Sequence, residues 1–91
     1  MVDRFAAMQV FAQVVESGSF SKASERLNLS PTAVSRQVAD LEAHLNTRLL
    51  NRTTRRVSLT DVGREYYERC NQILAELEEA DEAAPRQRDR A

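Results

Sequence analysis

Ser21-Lys22-Ala23-Ser24-Glu25-Arg26-Leu27-Asn28-Leu29-Ser30-Pro31-Thr32-Ala33-Val34-Ser35-Arg36-Gln37-Val38 is the stretch that decides how this chain folds. Ser21 is a good helix N-cap, since its hydroxyl oxygen can accept from an otherwise unpaired amide of the first turn. It predicts a short helix from Lys22 to about Leu27, with Ala23, Leu27 and Leu29 as apolar contacts. Asn28-Leu29-Ser30 interrupts that helix at once. Ser30 then caps a new one, and Pro31 suits its first position because the N–H that proline lacks would be unpaired there anyway. Two helices parted by a turn of about three residues are the signature of a helix-turn-helix.

The helix opened by Pro31 runs to about His44 and has two unlike sides. Val34, Val38, Leu41 and Leu45 form a buried stripe. The opposite side carries Thr32, Ser35, Arg36 and Ala39, which are short or hydrogen-bonding residues near the N-terminal end. A helix that lies in the ~12 Å major groove of DNA needs such a face. Arg36 suits a bidentate pair with guanine, while Ser35 and Thr32 suit base edges, phosphate or a thymine methyl. Taken alone, the face also suits plain solvation; the preceding turn and the segment that follows weigh for the groove.

Outward from this core, residues 4 to 16 read as a first helix. Phe5, Met8, Phe11, Ala12 and Val15 mark one face, and Ala7, Val10 and Val14 form a second, adjoining stripe. Contact with a partner, or a central place in the core, would each account for the second stripe. Downstream, Val57 and Leu59 alternate with Arg56, Ser58 and Thr60, the period of a half-buried strand. Leu49-Leu50-Asn51-Arg52 can pair with it across Thr53-Thr54-Arg55, which predicts a small β-hairpin that must lean on the helices. Arg48, Arg52, Arg55 and Arg56 lie between His44 and Thr60 with no acidic residue among them. A phosphate backbone or a narrow minor groove would supply their counter-charge. The alternative is a solvated charge run.

Thr60 is an N-cap with Asp61 in the first turn, and no helix breaker follows until Pro85. The prediction is a helix of more than 20 residues. Gly63 lies early in it, where a missing side chain allows close backbone approach. Val62, Tyr66, Cys70, Ile73, Leu77, Ala80 and Ala84 follow near-heptad spacing. Glu76, Glu78, Glu79, Asp81 and Glu82 decorate the distal half. The expectation is a dimerisation helix projecting from the domain; a helix packed on its own core is the alternative, mainly for the proximal half. Residues 85–91 are polar and read as a hinge or flexible tail.

Composition narrows the function. The chain has 91 residues, 42% of them apolar and 30% charged, the balance of one globular domain. A single cysteine, Cys70, rules out an intramolecular disulfide, and its expected role is a half-buried small hydrophobe. No apolar run approaches the ~18 residues of a membrane span, and an N-terminus with Asp3, Arg4 and then mixed polar residues does not read as a signal peptide. The expected location is the cytoplasm. The only histidine, His44, has no spaced nucleophile beside it, Gly18 and Gly63 stand alone, and one Cys with one His makes no zinc site. An enzyme is therefore not expected, nor a metal or cofactor. The remaining rival is a protein-interaction domain whose arginines merely face solvent. The net charge of −1 conceals two unlike parts. Residues 1–60 hold 8 basic and 5 acidic groups, a balance of +3, whereas residues 61–91 hold 5 and 9, a balance of −4.

The order helix, helix-turn-helix, two-stranded wing, long helix is a mainly α winged helix-turn-helix. Phe11 to Val15, Ser17 to Leu27, Leu29 to Val38, Leu41-Glu42, Leu45, Arg48 to Thr60 and Gly63 together resemble the N-terminal DNA-binding domain of LysR-type transcriptional regulators. The resemblance covers residues 2 to about 84. It implies a DNA-binding head over 1–60, a linker and dimerisation helix over 61–84, and a hinge after it. It also implies that the third helix enters the major groove, with Ser30, Pro31, Thr32, Ser35 and Arg36 at its DNA-facing end. Pro31 stands where many members have a glutamine, which leaves it van der Waals contact. Arg55 matches the wing position that probes the minor groove, and Ser21, Lys22 and Arg52 match positions near phosphates. Leu50 replaces the usual phenylalanine, a packing change. Homodimerisation would use Val10 and Val14 of the first helix with Tyr66, Cys70, Ile73 and Leu77 of the long one. Two recognition helices would then read an interrupted inverted repeat. Tetramers and control by a small-molecule effector would belong to a full-length member with its C-terminal domain, which this chain is expected to lack.

Overall fold

The computed structural model describes residues 3–51 and 57–85. Four helices and one two-stranded sheet follow in the order α1 (Arg4–Ser17), α2 (Phe20–Leu27), α3 (Pro31–Leu45), β1 (Leu50–Asn51), β2 (Ser58–Leu59) and α4 (Asp61–Ala83). Their boundaries are set by side chains that satisfy backbone groups the helices leave unpaired. Asp3, Ser19, Ser30 and Thr60 each accept an amide of the first turn, from Ala6, Lys22, Ala33 and Gly63 respectively. At the other ends, Gly18, Asn28 and Asn46 take the left-handed conformation that terminates α1, α2 and α3.

The second helix begins earlier than its sequence suggests. Ser19, not Ser21, is the cap: its hydroxyl accepts from the Lys22 amide at 2.9 Å. Gly18 at φ 80° ends α1 and turns the chain, so α2 starts at Phe20 and tucks that ring partly into the core. Ser21 lies inside the first turn of α2 with its side chain exposed. Between α2 and α3 only Asn28, Leu29 and Ser30 intervene, and the Leu29 amide donates back to the Ser24 carbonyl.

α1 is the central helix and packs against each of the other three. Phe11 and Val14 are fully buried, with Val34, Val38 and Leu41 of α3, Leu49 and Leu50 at the wing, and Cys70 of α4. The Phe11 ring meets Tyr66 and Tyr67 at centroid distances of 5.8 and 6.3 Å, both tilted toward edge contacts. Both apolar stripes of α1 therefore serve the chain's own core: Val10 is 4% exposed and Val14 not at all. Val10, Val14 and Cys70, expected at a dimer seam, are buried within the chain's own core. Cys70 is pushed up to about 11 by burial, so its thiol stays protonated at neutral pH. Tyr66 is also raised, first by burial and then by Cys70, with Arg4 opposing.

The wing is short. β1 and β2 pair antiparallel, Leu50 opposite Leu59 and Asn51 opposite Ser58. The segment joining them, with Arg52, Arg55 and Arg56, lies outside the described residues. Gly63 permits the next step of the fold: a Cβ there would fall on the Leu49 carbonyl oxygen and sit 2.9 Å from its carbon. α4 can thus lie directly on the backbone that enters the wing. Its 23 residues run about 34 Å, and from Ala75 onward every one is exposed. The molecule is accordingly long, 55 × 25 × 25 Å. No helix among the described residues is long and apolar enough to cross a membrane.

Candidate nucleic-acid interface

The N-terminal half of α3 presents the face that its sequence suggested. Pro31, Thr32 and Arg36 are exposed and Ser35 is half-buried. With Ala39, Phe20 and Asp40, they line one open depression. Spacings of three and four residues place Thr32, Ser35, Arg36 and Ala39 on a single side of the helix, opposite Val34, Val38 and Leu41. Arg36 makes no ion pair or hydrogen bond with the described residues, so its five donors are available to an external acceptor.

Ser30 carries two tasks. Its oxygen accepts the Ala33 amide at 3.0 Å, which fixes the first turn of α3, and its exposed hydroxyl can still donate. Ser21 and Lys22 are exposed in the first turn of α2, the Lys22 amide held by Ser19. Lys22 and Arg48 form no ion pair within the described residues. Arg52 and Arg55, expected at the wing, lie outside them. Two lining residues were not anticipated. Phe20 carries no local signal, because α2 starts there and not at Lys22, whereas Asp40 is legible as the residue four beyond Arg36 on the same face.

A second surface lies on α1 and α4. Phe5, Val62, Ile73 and Leu77 are large apolar side chains left 38, 49, 46 and 38% exposed. Phe5 and Ile73, with Arg4, Met8, Leu45, Tyr66 and Arg69, line a groove between α1 and α4 of about 410 Å³. Of the expected dimer residues, Tyr66, Ile73 and Leu77 remain accessible; Val10, Val14 and Cys70 do not.

Residues 5–64 match the family model described as "Bacterial regulatory helix-turn-helix protein, lysR family". The chain belongs to the LysR family. It is 53% identical over 74 residues to the HTH-type transcriptional regulator CrgA of Neisseria meningitidis serogroup B, covering 81% of this chain and 25% of that protein. It is 43% identical over 81 residues to the HTH-type transcriptional activator AaeR of Escherichia coli K12, covering 89% of this chain and 26% of that one. An HTH-type transcriptional repressor of Pseudomonas aeruginosa is 46% identical over 78 residues, covering 86% and 25%. The chain thus spans about a quarter of the length of these relatives. Among solved structures, a BenM DBD complex with catB site 1 DNA superposes with TM-score 0.84 at 31% identity, covering 86% of this chain and 84% of that one. CrgA from Neisseria meningitidis superposes with TM-score 0.71 at 51% identity, covering 84% and 26%. The fold is the winged helix-turn-helix of LysR DNA-binding domains, and the relatives it matches are named transcriptional regulators.

Proposed function

We propose that this LysR-family domain binds double-stranded DNA sequence-specifically as a homodimer on an interrupted inverted repeat, and so regulates transcription from a promoter. The observation that carries the reading is the exposed Arg36, unpaired among the described residues, between Thr32, Ser35 and Ala39 on a helix whose other side is core. That face is bare of bulky apolar groups, as entry into a major groove requires. Arg36 donates to guanine O6 and N7, Thr32 and Ser35 serve neighbouring edges or phosphate, and Pro31 makes van der Waals contact. Ser21, Lys22, Ser30 and Arg52 bind the sugar–phosphate backbone, and Arg55 enters the minor groove. That the BenM DBD has been crystallised on DNA in the same fold supports this assignment.

The dimer is drawn along α4 through Tyr66, Ile73 and Leu77, joined by Val62 and by Phe5 of α1. These side chains keep apolar area that their own core does not use. A two-fold axis along this seam sets two α3 helices on successive faces of the duplex. Reading needs no metal or cofactor. Tetramers and effector binding belong to the longer proteins of the family, and the operator places the protein in the cytoplasm.

A salt series separates this reading from a protein-interaction domain. The affinity for random duplex DNA is expected to fall steeply with salt, with a log–log slope of about −0.9 for each phosphate neutralised. A flat response would reject DNA binding.

A further inference from the structure

Glu42 takes no part in the reading face, yet it makes the contacts that connect α3 to the wing. One carboxylate oxygen, Oε2, accepts both the Leu49 amide at 2.8 Å and the Leu50 amide at 3.1 Å. Glu42 is half-buried near the end of α3, and the residues it holds are the last before β1 and the first within it. The opposite side of the same backbone is held by the start of α4. The Thr60 amide donates to the Leu49 carbonyl at 3.1 Å, and the Thr60 hydroxyl donates to the Arg48 carbonyl at 2.8 Å. Gly63 leaves no side chain between α4 and that carbonyl. Leu49, itself fully buried, is therefore gripped from α3 through its N–H and from α4 through its C=O.

The grip matters because of what lies beside it. Arg48 precedes Leu49, is exposed, and lines a shallow concavity with Ala39, Glu42, Ala43, Asn46 and Thr47. The Asn46-Thr47-Arg48 link from α3 carries no strand pairing of its own, and Asn46 leaves the helix in the left-handed conformation. The Thr47 amide donates to the Glu42 carbonyl at 3.1 Å, and beyond that bond the Glu42 carboxylate is the α3 hydrogen-bond acceptor that fixes Leu49 and the start of β1. Hydrogen bonds to an ionised acceptor are roughly twice as strong as neutral ones, which suits a carboxylate to this task.

We infer that Glu42 is a positioning residue: it fixes the direction in which Arg48 and β1 leave the recognition helix, and thereby the base pairs that the protein discriminates outside the α3 footprint. The inference rests on the DNA-binding reading given above. It concerns specificity at the flanks and not the contacts of Arg36.

The test compares wild type, Glu42→Ala and Glu42→Gln on duplexes altered either at the α3 footprint or at its flanks, at a temperature where circular dichroism shows all three folded. Glu42→Ala is expected to lose about tenfold in flank discrimination while its preference within the footprint is kept. Glu42→Gln, whose single carbonyl oxygen can accept both amides as Oε2 does, is expected to restore most of it. A Glu42→Ala variant with wild-type flank preference, or one that loses footprint and flank preference in equal measure, would overturn the positioning role. If Glu42→Ala does not fold, Arg48→Ala decides: Arg48 is exposed and its bond to Thr60 uses the backbone carbonyl, which alanine keeps, so unchanged flank preference there overturns the inference, and reduced preference supports it. Wild-type protein without salt-dependent DNA binding would instead overturn the functional reading beneath it.

Discussion

Gly63→Ala is expected to destabilise the domain by about 2 kcal/mol, lowering the melting temperature by roughly 10 °C in a chain of this size. The added Cβ would fall on the Leu49 carbonyl oxygen and lie 2.9 Å from the carbonyl carbon and 3.1 Å from Cα. These are backbone atoms and cannot rotate away. Either α4 withdraws from the wing or the Leu49 junction opens, and the Thr60 cap is strained in both cases. Alanine's better helix propensity returns only about 1 kcal/mol, so the overlap prevails. Gly18→Ala is the control that separates space from conformation. Nothing lies within 4 Å of a Cβ there, but φ is +80°, so its cost is limited to about 1 kcal/mol of left-handed strain. Thermal melts of the two variants check both values. A Gly63→Ala protein as stable as wild type would mean that α4 does not rest on the Leu49 backbone.

Leu77→Asp is expected to leave a folded monomer. Leu77 is 38% exposed and Ile73, one helical turn earlier, 46%, so neither is needed to hold the chain's own core. A carboxylate placed in an apolar seam must be desolvated without a partner, which costs several kcal/mol. Sedimentation should therefore show dimer for the wild type and monomer for the variant at micromolar concentration. Separation of the two heads also removes the high effective concentration of the second at its half-site. Affinity for a full inverted repeat is expected to drop by about 100-fold or more, while affinity for one half-site changes little. An unchanged dimer would refute the seam.

How far the sequence announced this structure differs from element to element. The starts of α3 and α4 were legible because Ser30-Pro31 and Thr60-Asp61 are local signals whose geometry is settled within one turn of helix. The cap of α2 was not, since Ser19 and Ser21 are chemically equal and the choice depends on Gly18 turning the chain and Phe20 finding the core. The recognition face was legible for the same reason that α3 is amphipathic: one side had to be buried. The dimer seam was only half legible. Tyr66, Cys70, Ile73 and Leu77 share one period, and periodicity cannot say which of them a helix spends on its own domain. Packing divides the series at the point where α4 outruns α1, with Cys70 inside and Ile73 and Leu77 outside. For Val10 and Val14 the sequence left partner contact and a central place in the core open, and a helix packed against three others uses both stripes in its own core. The Glu42 clamp carried no local signal, because its partners Leu49 and Leu50 are backbone groups seven and eight residues away.

The open face of α3 is expected to read bases through Arg36. The most direct test is to measure the affinities of wild type and Arg36→Ala for a duplex selected from a random pool and for a scrambled duplex, at one salt concentration. Arg36→Ala is predicted to lose about 1–3 kcal/mol on the selected duplex, with relaxed preference at one base pair, and to bind the scrambled duplex nearly as wild type does. Equal losses on both duplexes would contradict it, reducing Arg36 to a phosphate contact and leaving α3 without its reader.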